Sequence, residues 1–453
     1  MHTLRKLRTI YGTEAGLLWR WRLGPGALLK RGVASLAASI IAFYLTSWLL
    51  PGLLTIEDVG SGVVAILLIA VLNLLVRPAL LVLVASRSVV LLLVLILGFQ
   101  TLVIWLLTPL VDGVAVDGGI LGAFVVSLIL GAFRAIAGML FGLDEDDSYY
   151  GALMRTLASR RSSVIQTDAP GLVIIQTDGV AHDVLTHAVR AGRVPTISRW
   201  MRSGSHELGR WEALLPPTTP ASQAGILHGN NDGIPCFRWY EKESGRLLVA
   251  NHPGDATVME QRMSDGEGLL SPGGTSISNI FTGDAERAFL VQSTITVKER
   301  GLGQSKAFAY YFLSPYNYLT MLTSFMAEVV KEVRQHRHQK RAGVEPLLPR
   351  GMPYPFVRAA TNVGLRAIGT SLLVEEMYRG TPVMYMDFTD YDEIAHHSGP
   401  ERQESLDALD GIDRQIGILE KASQDAPRPY HFVLVADHGQ CLGPTFLQRY
   451  GVS

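Results

Sequence analysis

Apolar positions fall into two regimes along the chain. Between residues 32 and 142 they form long runs with almost no charge: Gly32–Leu50, Val59–Val76, Ser88–Val111 and Gly118–Leu140. A helix crosses a hydrocarbon core in about 20 residues, so each run is long enough, or nearly so, to span one. Pro51, Pro78 and Pro109 stand at or near run ends, where they punctuate helices rather than break them. A buried bundle would account for one such run; four in succession predict a four-span transmembrane module. From Gly171 the pattern shortens. Brief apolar strands at 172–176 (LVIIQ), 383–388 (VMYMDF) and 432–436 (FVLVA) alternate with helical patterns through 197–201 and 405–421. This alternation predicts a mostly parallel sheet with helices on both faces. The stretch 234–349 differs. It is rich in Gly, Ser and aromatic residues around one long helix near 318–341, and it predicts an insertion or cap.

The predicted fold class is therefore multi-domain, an N-terminal all-α transmembrane bundle followed by an α/β domain. The expected boundaries are a basic segment over 1–31, the membrane module over 32–142, a linker over 143–169 and the α/β domain over 170–453. Residues 3–23 mix Arg and Lys with Leu4, Leu7, Ile10, Trp19 and Trp21, a pattern suited to a helix at the headgroup surface or to a leader into the first span.

Net charge is −1, which gives no global electrostatic case for nucleic acid. Its distribution matters more. The N-terminal segment is basic, the first connection carries Glu57 and Asp58, the second Arg77 and Arg87, and the third Asp112 and Asp117. Positive charge favours the inner side, so the N-terminus and the α/β domain are expected in the cytoplasm, beside the cell membrane. Asn73, Gln100 and Arg134 lie within or near the runs and suit interhelical hydrogen bonding, with Arg134 snorkelling towards the cytoplasmic end. Cys236 and Cys441 are too few for a disulfide framework. No small-residue cleavage site marks a signal peptide.

The chemistry is concentrated behind the strands. Asp178 follows the first, the run from Asp392 to His396 follows the second, and Asp437-His438 follows the third. The segment before Gly229 offers the hydroxyls of Thr218 and Thr219. Carboxylates and imidazoles converging from strand ends suit two hard-to-borderline divalent metals. A hydroxyl held between such metals suits phosphoryl transfer. Asp387 and Asp390 are candidate orienters of the ligands, and His397 a neighbour of them.

Together, and in this order, these motifs resemble the alkaline-phosphatase superfamily, closest to its type I phosphodiesterase/nucleotide pyrophosphatase branch, over about residues 170–445. The matching positions are Asp178, then Thr219 ten positions before Gly229, then Asp392, His396, Gly399 and Pro400, then Asp437, His438 and Gly439. The stretch LNLLVRPALLVLV among the four runs resembles the phage-holin-like (holin family 4) membrane proteins. The first resemblance implies Thr219 as nucleophile, one metal on Asp178, Thr219, Asp437 and His438, and a second on Asp392 and His396. It implies a further histidine downstream as well; none follows His438 before Ser453, so the chain is expected to be truncated. Where the branch carries an Asn, Phe237 stands here, leaving Asn230, Asn231 or Arg238 to contact phosphate.

The expected function is a membrane-anchored two-metal phosphohydrolase acting on diesters or nucleotide pyrophosphates through a phospho-threonine. Zinc is the expected metal, with manganese second. Its expected partners are the lipid bilayer and a phosphate ester, nucleotide or lipid-derived. The same ligands would serve monoesters, sulfates or phosphonates. A holin-like membrane protein with a non-catalytic binding domain is the reading from another class.

Overall fold

A computed structural model describes residues 25–75, 98–140, 167–295, 315–344, 350–444 and 446–452. The chain divides into two compact units, residues 1–160 with 303–324, and residues 161–302 with 325–453.

The first unit contains α1 (Pro25–Leu49), β1 (Leu54–Ile56), α2 (Val59–Leu75), a helical stretch over 98–105 leading to α3 (Leu107–Leu110), β2 (Val114–Val116) and α4 (Gly119–Leu140). Helix therefore forms in the described part of each long apolar run. The unit is not all-α, however. Leu54 to Ile56 pair antiparallel with Val114 to Val116, because aliphatic and β-branched residues in the two connections can satisfy each other's backbone. Asp58 accepts the Ser61 amide at 3.0 Å, covering a donor that the start of α2 leaves free. Phe43, Leu54, Ile69, Ile104, Leu107 and Val126 close the core. Among the described residues no helix is long and apolar enough to cross a membrane, so a spanning bundle is not what these helices establish. Part of the third run, and the linker expected over 143–169 as far as residue 166, lie outside the described residues.

The second unit starts with β3 (Gly171–Thr177), α5 (His182–Arg190), α6 (Pro195–Ser203) and α7 (Thr219–His228). The hairpin β4 (Arg238–Glu241) and β5 (Arg246–Val249) follows, then α8 (Pro253–Met263), β6 (Thr275–Ile277) and β7 (Arg287–Phe289). The long α9 (Pro315–Arg341), which joins this unit from Phe325 on, leads to α10 (Tyr354–Ala359) and α11 (Arg366–Arg379). The remainder is β8 (Val383–Phe388), α12 (Asp390–Ser398), α13 (Gln403–Ser423), β9 (Tyr430–Val435) and α14 (Phe446–Tyr450).

Five strands form one sheet in the order β7-β6-β8-β3-β9, all parallel. The uninterrupted apolar run of β3 is what a strand covered on both faces requires. The stretch 234–349 is thus not a simple insertion: it supplies two of the five strands. β6 and β7 were missed because three residues each are too few to show a period. The basic end of α9 divides by face. Glu332 and Gln339 are buried, while Arg334, Arg337 and Lys340 are exposed.

Candidate metal centre and active site

β3, β8 and β9 are neighbours and run the same way, so their carboxyl ends open together, where sites of open parallel sheets form. Asp178 is the first residue past β3 and is buried. The next residue, Gly179, adopts φ +69°, and its amide donates to Asp437 Oδ1 at 3.2 Å. A Cβ at Gly179 would lie 2.1 Å from Asp392 Oδ1. Glycine is required there by both backbone and space.

Thr219 begins α7. Thr218, extended, stands before it as the cap, and Pro220 follows within the first turn, where a missing N–H costs little. Small residues such as Ala221 and Ala224 let this helix lie close on the sheet, and Gly229 ends it in the left-handed region. Thr219 Oγ1 lies 3.4 Å from Asp178 Oδ1 and 3.2 Å from His438 Nε2. The hydroxyl of Thr218 is buried and meets no partner, so of the two threonines Thr219 faces the acids.

His438 Nδ1 is 3.2 Å from Gly439 O, which can only accept. That contact puts the ring proton on Nδ1 and leaves the Nε2 lone pair towards the acids. Nε2 stands 3.6 Å from Asp178 Oδ1 and 3.4 Å from Asp437 Oδ2. Asp392 and His396 lie one turn apart on α12, with His396 Nε2 3.1 Å from Asp392 Oδ2. Ligand atoms of Asp178, Asp392 and His438 all fall within 4.8 Å of one another. Asp392 therefore stands close beside the first ligand group.

The buried acids repel one another. Burial, then Asp387, Asp437 and Asp392, push the Asp178 carboxyl well above its ordinary range. Burial and the neighbouring acids do the same to Asp387. Burial also raises Asp437. At Asp392 burial is outweighed by hydrogen bonds from His396 and Gln440, which hold it below the usual value, and that bond raises His396 in return. Asp437 Oδ2 and Asp387 Oδ1 are buried and find no hydrogen-bond donor. Carboxylate and imidazole donors around such unpaired acids fit divalent cations.

Two residues outside the expected set complete the picture. Gln440 Nε2 reaches Asp392 Oδ1 at 2.6 Å. Gln223, one turn after Thr219, donates to Asp387 Oδ2 at 2.9 Å. Neither shows in the sequence as more than a polar residue near a motif. Asp390 pairs with Arg366 at 2.8 Å, and His397 stacks on Tyr354, so the two tie α12 to α11 and α10. The phosphate-contact candidates sit elsewhere among their own neighbours. Asn230 accepts the Asp232 amide, Asn231 donates to Leu215 O, and Arg238 opens β4 with an exposed side chain. Cys236 and Cys441 are free.

Residues 172–444 match the family model of type I phosphodiesterase/nucleotide pyrophosphatase, and the chain belongs to that family. Residues 30–136 match the model of the mycobacterial four-span phage holins of superfamily IV, so a phosphohydrolase-type domain is fused to a holin-like module. No match is found among curated proteins.

Proposed function

We propose that this chain is a membrane-anchored two-metal phosphohydrolase that cleaves phosphodiesters or nucleotide pyrophosphates through a phospho-threonine on Thr219. The observation that carries this reading is Thr219 Oγ1 at the start of α7, 3.4 Å from Asp178 and 3.2 Å from His438. Asp178, Thr219, Asp437 and His438 would hold one divalent cation, and Asp392 with His396 the other. Bound there, the cations supply Lewis acidity and neutralise the substrate's charge.

The Thr219 hydroxyl would lose its proton to solvent, its acidity raised by the cation that it would share with Asp178 and His438. Its oxygen attacks phosphorus, a new O–P bond forms, and the bond to the leaving oxygen breaks. The first amides of α7 point at the transferred phosphoryl, as the N-terminus of a helix does for an anion. Water then attacks the phospho-threonine and releases phosphate monoester, restoring Thr219. Gly179 keeps the floor of the site open, and Asp437 fixes its turn through the 3.2 Å bond. Zinc suits the mixed imidazole and carboxylate donors, and manganese is second. The substrate is a phosphate ester, nucleotide or lipid-derived.

The holin-like module would anchor the enzyme in the cell membrane, and the basic N-terminal segment favours a cytoplasmic active site. An engineered Asp117→Cys tests the orientation: labelling by an impermeant thiol reagent in intact cells supports it, and protection removes it. For the chemistry, the full chain in detergent is assayed on a chromogenic phosphodiester and its monoester with added zinc or manganese. Diester turnover should fall about 10³-fold or more in Thr219→Ala. Undiminished turnover in the variant would remove the nucleophile, and preference for the monoester would move the substrate class.

A further inference from the structure

The Asp392 carboxylate is approached from two segments at once. On one side His396 Nε2 stands 3.1 Å from Oδ2. On the other, Gln440 Nε2 stands 2.6 Å from Oδ1 and 3.1 Å from the Asp392 carbonyl oxygen, across 48 positions of sequence. Gln440 is only half-buried and lies past β9, in the same turn as Asp437 and His438. A cation shared with Asp392 on that side would meet the Gln440 amide directly.

We propose that Gln440 is a ligand of the second cation, giving its amide oxygen beside Asp392 and His396 and biasing that site towards a hard cation such as Mn2+ over Zn2+. The inference rests on the two-metal reading above. The nitrogen and oxygen of a side-chain amide exchange places by half a turn of the last torsion without changing shape. Without a cation the amide donates to the carboxylate. With one, the N–H end is repelled and the oxygen turns in. An amide oxygen is a hard donor, suited to Mg2+, Ca2+ or Mn2+, whereas zinc favours imidazole or thiolate. Beside Asp392 and His396 this oxygen gives the second site one imidazole against two oxygen donors, a set that admits manganese more readily than those two residues alone.

The alternative role, an amide that only steadies Asp392 by donating to it, predicts a different response to charge. Metal-stripped full chain in detergent is titrated with Zn2+ and separately with Mn2+ by calorimetry, with Asp392→Asn marking the step that belongs to the second site. As a ligand, Gln440→Ala weakens that step about tenfold or more, Gln440→Glu tightens it for Mn2+, and Gln440→His turns its preference to Zn2+. Weakening by Gln440→Glu, which sets two carboxylates against each other, would overturn the proposal in favour of the steadying role. So would unchanged affinity in all three variants. In both of those cases two cations still bind and the phosphohydrolase reading survives; a wild-type chain that binds none removes both.

Discussion

Gln223 and Asp387 are joined across 2.9 Å in the fully buried layer beneath the site, one helical turn from Thr219. The same Gln223 amide lies 3.3 Å from Gln176 Oε1 on β3, and its oxygen accepts the Ile280 amide at 2.8 Å. One side chain thus ties α7 to β3, to β8 and to the segment after β6. Gln223→Leu strands Asp387 Oδ2 and the Ile280 amide, each worth about 1–3 kcal/mol when buried unpaired. The variant should lose about 3 kcal/mol in chemical denaturation, and its kcat should fall more than its KM changes.

Gly179→Ala should abolish cation binding while the sheet survives. The new methyl would collide with Asp392 Oδ1, and the positive φ adds about 1–2 kcal/mol of backbone strain. Calorimetric titration with metal, beside the circular dichroism spectrum, checks both halves.

Stability without metal should fall as pH rises. Asp178, Asp387 and Asp437 have folded values raised above ordinary carboxylates, so the folded state binds more protons than the unfolded state once pH passes about 4. Their contribution is fully present below that point and is lost as pH climbs towards the folded values. Asp392, held low, acts in the opposite sense and partly offsets them. Saturating zinc or manganese should flatten the slope. Thermal midpoints against pH, with chelator and with metal, read it directly.

Arg358→Met should be the costliest charge removal. Arg358 is fully buried between Glu328 and the equally buried Glu332, and its loss leaves acids uncompensated at about 3–5 kcal/mol. Arg262→Met breaks the solvent-screened pair with Glu241 and should leave stability nearly unchanged. Thermal denaturation of the two variants, side by side, checks the contrast.

The sequence showed β3, β8 and β9 because their apolar runs are continuous, and it showed the acids and histidines near strand ends, where Asp178, Asp392 and His438 come together. It did not show β6 and β7, whose three residues carry too little pattern. It did not show Gln440 or Gln223, because an amide becomes a site residue only through what a distant segment brings to it. The pairing of β1 with β2 was hidden in the same way, inside connections between helices. The closeness of Asp392 to Asp178 depends on the bare Cα of Gly179, which no spacing rule reports.

The position of β3 between β8 and β9 also sets when the site can exist. The Gly179 amide reaches Asp437 across 258 positions, and β3 pairs with both β8 and β9. Parallel pairing over such distances is slow, because the intervening loop must close first. A chain still emerging from the ribosome carries Asp178 and Thr219 long before their partners. The acids are brought together only when the last strand docks, so a cation bound among them would be captured late and would act as a clasp that makes a slowly won topology hard to undo.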